Sequence, residues 1–466
     1  GMLNAGAAAL TALSCNEPIL CLTGEVPTSF LDGGSGHLHE MPDQLGTMRS
    51  FYKKAERVEH PGLASQTVAL SFQSMMAGRK GPAAIEMPWE VFTQKAEIGK
   101  AEKLPELGNP PVDTDKIDDA AALIANSKAP MIFVGGGAFE ASEDILALAT
   151  RIQAPVVGFR SGRGIVSNAH ELGLSIAEAY ELWPETDLII GIGTRLEIPR
   201  WRWPVKNPDL KSIRIDIDPS EMRRFTPNVA IIADAADAMT SLVDAVDRTD
   251  KTLRTRLAAI KKAREVIAPQ VMEIKPQADY LMAIRDVLPD NGIVTDELSQ
   301  VGFASWYAYP VYEPRTYLTS GYQGNLGSGF PTALGAKVAF PDRPVVAITG
   351  DGGFMFGVQE LATAVQHNIA VVVLIFNNNA FGNVRRDQLE GFGGRVVGAD
   401  LVNPNFVKLA HSFGADAERV SDVATFKKTL EKAIAKNTPY VIEIVVPTDS
   451  ETNPWRFIQP ERPAAV

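Results

Sequence analysis

A chain of 466 residues exceeds the roughly 250–300 that one hydrophobic core usually organises, and 45% hydrophobic with 22% charged residues excludes a disordered protein. The formal net charge of -11 argues against nucleic acid or an anionic membrane as the main partner and leaves small-molecule chemistry. Cys15 and Cys21 form neither a disulfide framework nor a zinc pattern, and no apolar run approaches the roughly 18 residues that span a bilayer; a reducing, cytoplasmic setting is expected.

The chain opens on a helix-like stretch, Leu3 to Leu10, with no strand before it, which suggests that something precedes Gly1. Apolar runs at Pro18–Gly24 and Gly81–Pro88 read as buried parallel strands between helix-like stretches, so residues 1–102 are predicted to form a first α/β domain. Pro105, Pro110 and Pro111 mark a linker, about Lys103 to Asp115. A second α/β rhythm over 113–250 holds strand candidates at Met131–Val134, Leu188–Gly193 and Ile213–Pro219. Its cluster Gly135-Gly136-Gly137 lacks a full G-x-G-x-x-G. Tight packing and nucleotide contact both remain open for it, the latter being the basis of a rival nicotinamide-dependent reading.

After a charged helical stretch, Lys251 to Glu265, and a linker predicted near Pro269 to Pro276, a third segment spans 275–466. Its strand candidates are Gly292–Asp296, Val345–Thr349, Ala370–Phe376 and Tyr440–Val445. The fold class is therefore α/β, with three Rossmann-like parallel-sheet domains.

Chemistry concentrates where two of these strands end. Val345 to Thr349 runs into Gly350-Asp351-Gly352-Gly353, an acid between glycines at a strand end, where backbone N–H groups and a helix start favour phosphate. Ala370 to Phe376 runs into Asn377-Asn378-Asn379-Ala380. Asp351 and Asn378 are 27 positions apart (378−351), the length that a helical crossover between parallel neighbours requires. Asp351, the Asn378 amide oxygen and the Ala380 carbonyl would suit a hard cation such as Mg2+. The plain alternative is a turn and an Asn-rich loop that do not meet.

G-D-G followed at this distance by N-N resembles the cofactor motif of thiamine-diphosphate enzymes, and the chain is similar to their acetolactate synthase-like branch over essentially its whole length. The resemblance implies pyrimidine-binding, middle and diphosphate-binding domains in that order. It implies thiamine diphosphate and Mg2+ as cofactors, with Asp351, Asn378 and the Ala380 carbonyl on the metal and Gly352 and Gly353 beside the diphosphate. In the stretch Gly321 to Pro331, Gly324 would offer a carbonyl to the cofactor's amino group and Leu326 would prop its two rings into a bent shape. Ser299 and Gln300 fall where relatives contact the diphosphate, although the residue types differ. His39, in His37-Leu38-His39-Glu40, is a candidate proton shuttle or substrate orienter, the alternative being a surface His in a loop.

Members of the family activate the cofactor through a Glu on an early strand ahead of a Gly-Pro-Gly turn. Neither Glu25 nor Glu40 matches that position, so the resemblance is to a chain shortened at its N-terminus, by a start at an internal Met or by natural loss of the segment. The expected reaction is decarboxylation of a 2-oxo acid with transfer of the two-carbon unit to an acceptor carbonyl, by a cytoplasmic homodimer or homotetramer. A simple decarboxylase or lyase and a catalytically silent homologue are the alternatives. FAD in the middle domain is compatible with the sequence but nothing in it requires one.

Overall fold

The computed structural model describes residues 1–99, 104–247 and 256–460. It divides into two compact units, the first comprising Gly1–Pro111 with Gly321–Gln323 and the second Val112–Ser320 with Gly324–Val466.

The first unit is built on a three-stranded parallel sheet in the order β1-β3-β2, from β1 (Leu20–Glu25), β2 (Lys54–Arg57) and β3 (Ala83–Pro88). The helix-like start is a 3-10 turn over Met2–Ala5 followed by an α-helix, Gly6–Cys15. Cys15 and Cys21 are half-buried and not joined by a disulfide. Polar groups occupy the middle of the sheet. The fully buried Glu86 takes Arg57 Nε at 2.6 Å and Gln44 Nε2 at 2.9 Å, so its charge is paired as burial requires.

The second unit contains two six-stranded parallel sheets. The first consists of β4 (Pro130–Val134), β5 (Val156–Gly158), β6 (Gly173–Leu174), β7 (Leu188–Ile192), β8 (Lys211–Asp216) and β9 (Val229–Ile232), in the order β6-β5-β4-β7-β8-β9. The glycines at 135–137 are used for packing, since a Cβ on Gly135 would collide with the Gly193 carbonyl and one on Gly137 would lie 3.0 Å from Gly193 Cα. The loops after β4 and β7 thus touch backbone to backbone.

The second sheet consists of β10 (Ile293–Thr295), β11 (Tyr317–Leu318), β12 (Val345–Gly350), β13 (Val372–Asn377), β14 (Asp416–Val420) and β15 (Tyr440–Val445), in the order β11-β10-β12-β13-β15-β14. All six residues of β13 are buried, as expected for a central strand covered by helices on both faces. One hydrophobic core runs through both sheets of this unit, with Phe159 edge-on to Trp306 at 5.2 Å.

Residues 104–113 carry neither helix nor strand, and the helix Thr114–Asn126 begins where Asp113 accepts from the Asp115 and Lys116 N–H groups. Part of the charged helical stretch, 251–255, lies outside the described residues, as do 461–466. The linker expected from Pro269 is corrected: a helix runs Leu257–Val271 with Pro269 inside its last turn. The proline removes its own N–H bond and crowds a carbonyl of the preceding turn, and the helix ends two residues later. Among the described residues no helix is long and apolar enough to cross a membrane.

Candidate functional site

The strand order of the last sheet locates a crevice. The chain leaves β10 toward β11 on one side and returns to β12 on the other, so connections diverge beyond the carboxyl ends of β10 and β12. In open parallel sheets such a divergence is where ligands bind. Glu297, Ser299 and Gln300 follow β10, and Asp351, Gly352 and Gly353 follow β12. The two segments touch, because a Cβ on Gly350 would lie 3.3 Å from that of Ser299.

β12 pairs with β13 in parallel register, Gly350 opposite Phe376, which brings Asp351 level with the turn that follows β13. Asp351 is buried, and Gly352 N–H donates to its Oδ1 at 2.9 Å while Asn403 Nδ2 donates to its Oδ2 at 2.7 Å. Burial pushes its carboxyl upward, and N–H donors from Gly352, Asn379 and Ala380 and the amide of Asn403 oppose that rise. The amides of Asn379 and Ala380 could not act on Asp351 unless the two strand ends converged.

Beside it, Asn378 is buried, with Oδ1 accepting from Ala380 N–H at 3.1 Å and Nδ2 donating to Glu451 Oε2 at 2.5 Å. Asn377 donates its Nδ2 to Glu443, and its Oδ1 accepts at 2.9 Å from the same Asn403 amide that reaches Asp351. Oxygen atoms therefore crowd this corner, since Asn403 Nδ2 alone reaches Asp351, Asn377 and, at 3.4 Å, Asn379. Among the described residues no three His, Cys, Asp or Glu side chains gather around one metal position. One carboxylate with amide and carbonyl oxygens is instead the partial set that suits a hard cation completed by diphosphate oxygens and water.

Glycine serves close approach here. A Cβ on Gly352 would collide with the Phe381 ring, and one on Gly353 with the carboxylate of Glu297. Glu297 is a buried acid; its Oε1 accepts from the Gly327 N–H, and Oε2 has no hydrogen-bond partner. Burial, opposed by the Gly327 N–H and reinforced by the neighbouring Asp296, pushes its carboxyl up to about 7. Glu297 thereby ties the end of β10 to the loop that carries Gly324 and Leu326. Gly324 has φ +63°, a Cβ there would strike Leu298, and Leu326 stays exposed.

Ser299 and Gln300 lie at the crevice with both side chains engaged. Ser299 caps the helix Gln300–Ala308 by accepting from Gly302 N–H at 3.1 Å, and Gln300 Oε1 accepts from Arg386 at 2.7 Å. What they leave for an anion is the N-terminus of that helix. His39 belongs to the first unit, in an exposed loop with φ +69° and its ring 6.4 Å from Trp89. Glu40 beside it accepts from the Ser35 and His37 N–H groups, which hold it below the usual carboxylate range. Glu25 is buried, accepts from Val26 N–H at 2.7 Å, and is raised chiefly by burial.

Glu297, Asn403 and Glu451 are absent from the sequence reading. The acid pair Asp296-Glu297 at a strand end was a usable signal for the first. Asn403 and Glu451 sit in polar loops that carry no pattern.

Residues 298–444 match the family model described as the thiamine pyrophosphate enzyme C-terminal TPP binding domain, and residues 117–242 match the central domain of the same enzymes. A probable acetolactate synthase large subunit of Methanocaldococcus jannaschii is 33% identical, the match covering 94% of this chain and 78% of that protein. The large subunit of acetolactate synthase isozyme 1 of Escherichia coli is 30% identical, covering 94% and 79%. A probable 2-ketoarginine decarboxylase of Pseudomonas aeruginosa is 28% identical, covering 95% and 81%. This chain belongs to the thiamine pyrophosphate enzyme family.

Proposed function

We propose that this protein decarboxylates a 2-oxo acid such as pyruvate and joins the remaining two-carbon unit to an acceptor carbonyl, as a cytoplasmic homodimer or homotetramer dependent on thiamine diphosphate and Mg2+. The observation that carries the reading is the meeting of Asp351 with the Asn378–Ala380 turn at the carboxyl edge of the last sheet. The acetolactate synthases among its relatives support the carboligation step.

In this reading Asp351, Asn378 Oδ1 and the Ala380 carbonyl hold Mg2+, while Gly352 and Gly353 and the helix start at Ser299 and Gln300 lie beside the diphosphate. The Gly324 carbonyl orients the aminopyrimidine, and Leu326 supports the bend between the two rings. His39 exchanges a proton with substrate or product. Thiamine diphosphate, when bound, supplies the nucleophilic carbon and the electron sink that loss of carbon dioxide requires. The chain contributes binding, orientation and exclusion of water.

The protein, given pyruvate, thiamine diphosphate and Mg2+, is expected to release carbon dioxide and form a 2-hydroxy-2-methyl-3-oxo acid. A second reading, simple decarboxylation, is favoured by the relative named for 2-ketoarginine. Aldehyde release without a ligation product would support it, and no turnover of any 2-oxo acid by folded, cofactor-loaded protein would refute both.

A further inference from the structure

The segment that follows β15 closes on the turn after β13. Val446 N–H donates to the Asn377 carbonyl at 2.9 Å, and Thr448 Oγ1 donates to the Asn378 carbonyl at 2.7 Å. Glu451 Oε2 then receives the Asn378 side-chain amide at 2.5 Å. Asp449 pairs with Arg385, and Trp455 Nε1 donates to Asn383 Oδ1 at 2.7 Å, which fastens the same segment to the helix Gly382–Gly391. The backbone and the side chain of Asn378 are thus both held by one stretch of chain from the far end of the sequence.

An Asn side chain is nearly symmetric in shape and opposite in chemistry at its two ends: the nitrogen only donates and the oxygen only accepts. Turned the wrong way, Asn378 would present N–H groups where a cation needs an oxygen. A carboxyl oxygen that bears no proton only accepts, and Glu451 Oε2, taking the Asn378 amide, holds Asn378 with its nitrogen toward Glu451. The Ala380 N–H on Oδ1 selects the same orientation from the other end.

We propose that Glu451 is a positioning residue for the metal site, fixing the amide of Asn378 so that its oxygen faces the cation. The inference rests on the reading of Asp351, Asn378 and Ala380 as metal ligands. Partners that orient a ligand from outside are worth 10–100-fold in affinity in other metal sites, on the order of the effect expected here.

The test is Mn2+ binding, read from the free-ion paramagnetic resonance signal, for the full chain with thiamine diphosphate and for its Glu451→Ala, Glu451→Gln and Asp351→Ala variants. Glu451→Ala is expected to weaken Mn2+ binding by roughly 10–100-fold. Glu451→Gln, which keeps a carbonyl acceptor for the Asn378 amide while the Ala380 N–H on Oδ1 selects the same orientation over the one its new NH2 donor would favour, is expected to stay within about threefold of the parent. Asp351→Ala should abolish binding. Unchanged affinity in Glu451→Ala, with binding lost in Asp351→Ala, would overturn the positioning role and leave the metal site standing. Equal losses in Glu451→Ala and Glu451→Gln would overturn it in favour of the charge itself acting on the ion. Wild-type affinity in Asp351→Ala would remove the metal-site reading and this inference with it.

Discussion

The two compact units fold parallel sheets of very different reach. In the first, three strands bury two small apolar clusters, one around Met48, Tyr52 and Ala84 and one around Val58, Ile85 and Val91. β1 is an edge strand and its Leu22 is 68% exposed, while the sheet interior is given partly to Glu86, Gln44 and Arg57. In the second, two six-stranded sheets share a continuous core. Small cores bury a smaller fraction of their surface, so local stability should be lower in the first unit. The residues proposed to hold metal and diphosphate stand at the strand ends of the larger, stiffer unit, where their spacing can be kept to fractions of an ångström.

The sharpest way to break that comparison is to remove a core ring from the second unit. Phe426, fully buried against Tyr280 at 5.3 Å, should cost about 3–5 kcal/mol when truncated to Ala, measured by chemical denaturation. Met48→Ala in the first unit should cost only about 2 kcal/mol, because a small shell relaxes into the hole. In hydrogen exchange, amides of β1 to β3 should lose protection before those of β12 and β13; the reverse order would refute the comparison.

A smaller effect tests the buried acid of the second unit. Because the Glu297 carboxyl is raised from 4.5 to about 7, the folded chain keeps a proton that the unfolded chain releases between those values. Its contribution is therefore full below pH 4.5 and lost as pH rises to about 7. Glu297→Gln cannot titrate, so its stability relative to the parent should improve by about 3 kcal/mol between pH 4.5 and pH 8. A pH-independent difference would show that folding does not raise the Glu297 carboxyl. The smallest effect is expected at His39, whose replacement by Ala should slow turnover by about tenfold without altering the melting of either unit. Unchanged turnover would remove it from the mechanism.

The long central strands were legible because burial on both faces forces unbroken apolar runs, as in Val345 to Thr349 and Ala370 to Phe376. The charged sequences of β2, Lys-Ala-Glu-Arg, and β14, Asp-Ala-Glu-Arg-Val, hid two strands, since an edge position carries polar side chains that a central one would reject. Pro269 misled in the opposite sense, sitting where a helix could tolerate it. At the candidate site, the spacing from Asp351 to Asn378 was readable because one crossover fixes it. Glu451 was not, because it reaches Asn378 only through a return of the chain 73 residues later.

Calorimetric titration of thiamine diphosphate into the protein, once with Mg2+ and once with excess chelator, tests the central claim most directly. Saturable binding that requires Mg2+ is the predicted result, and binding of equal strength in chelator, or none to folded protein, would contradict it.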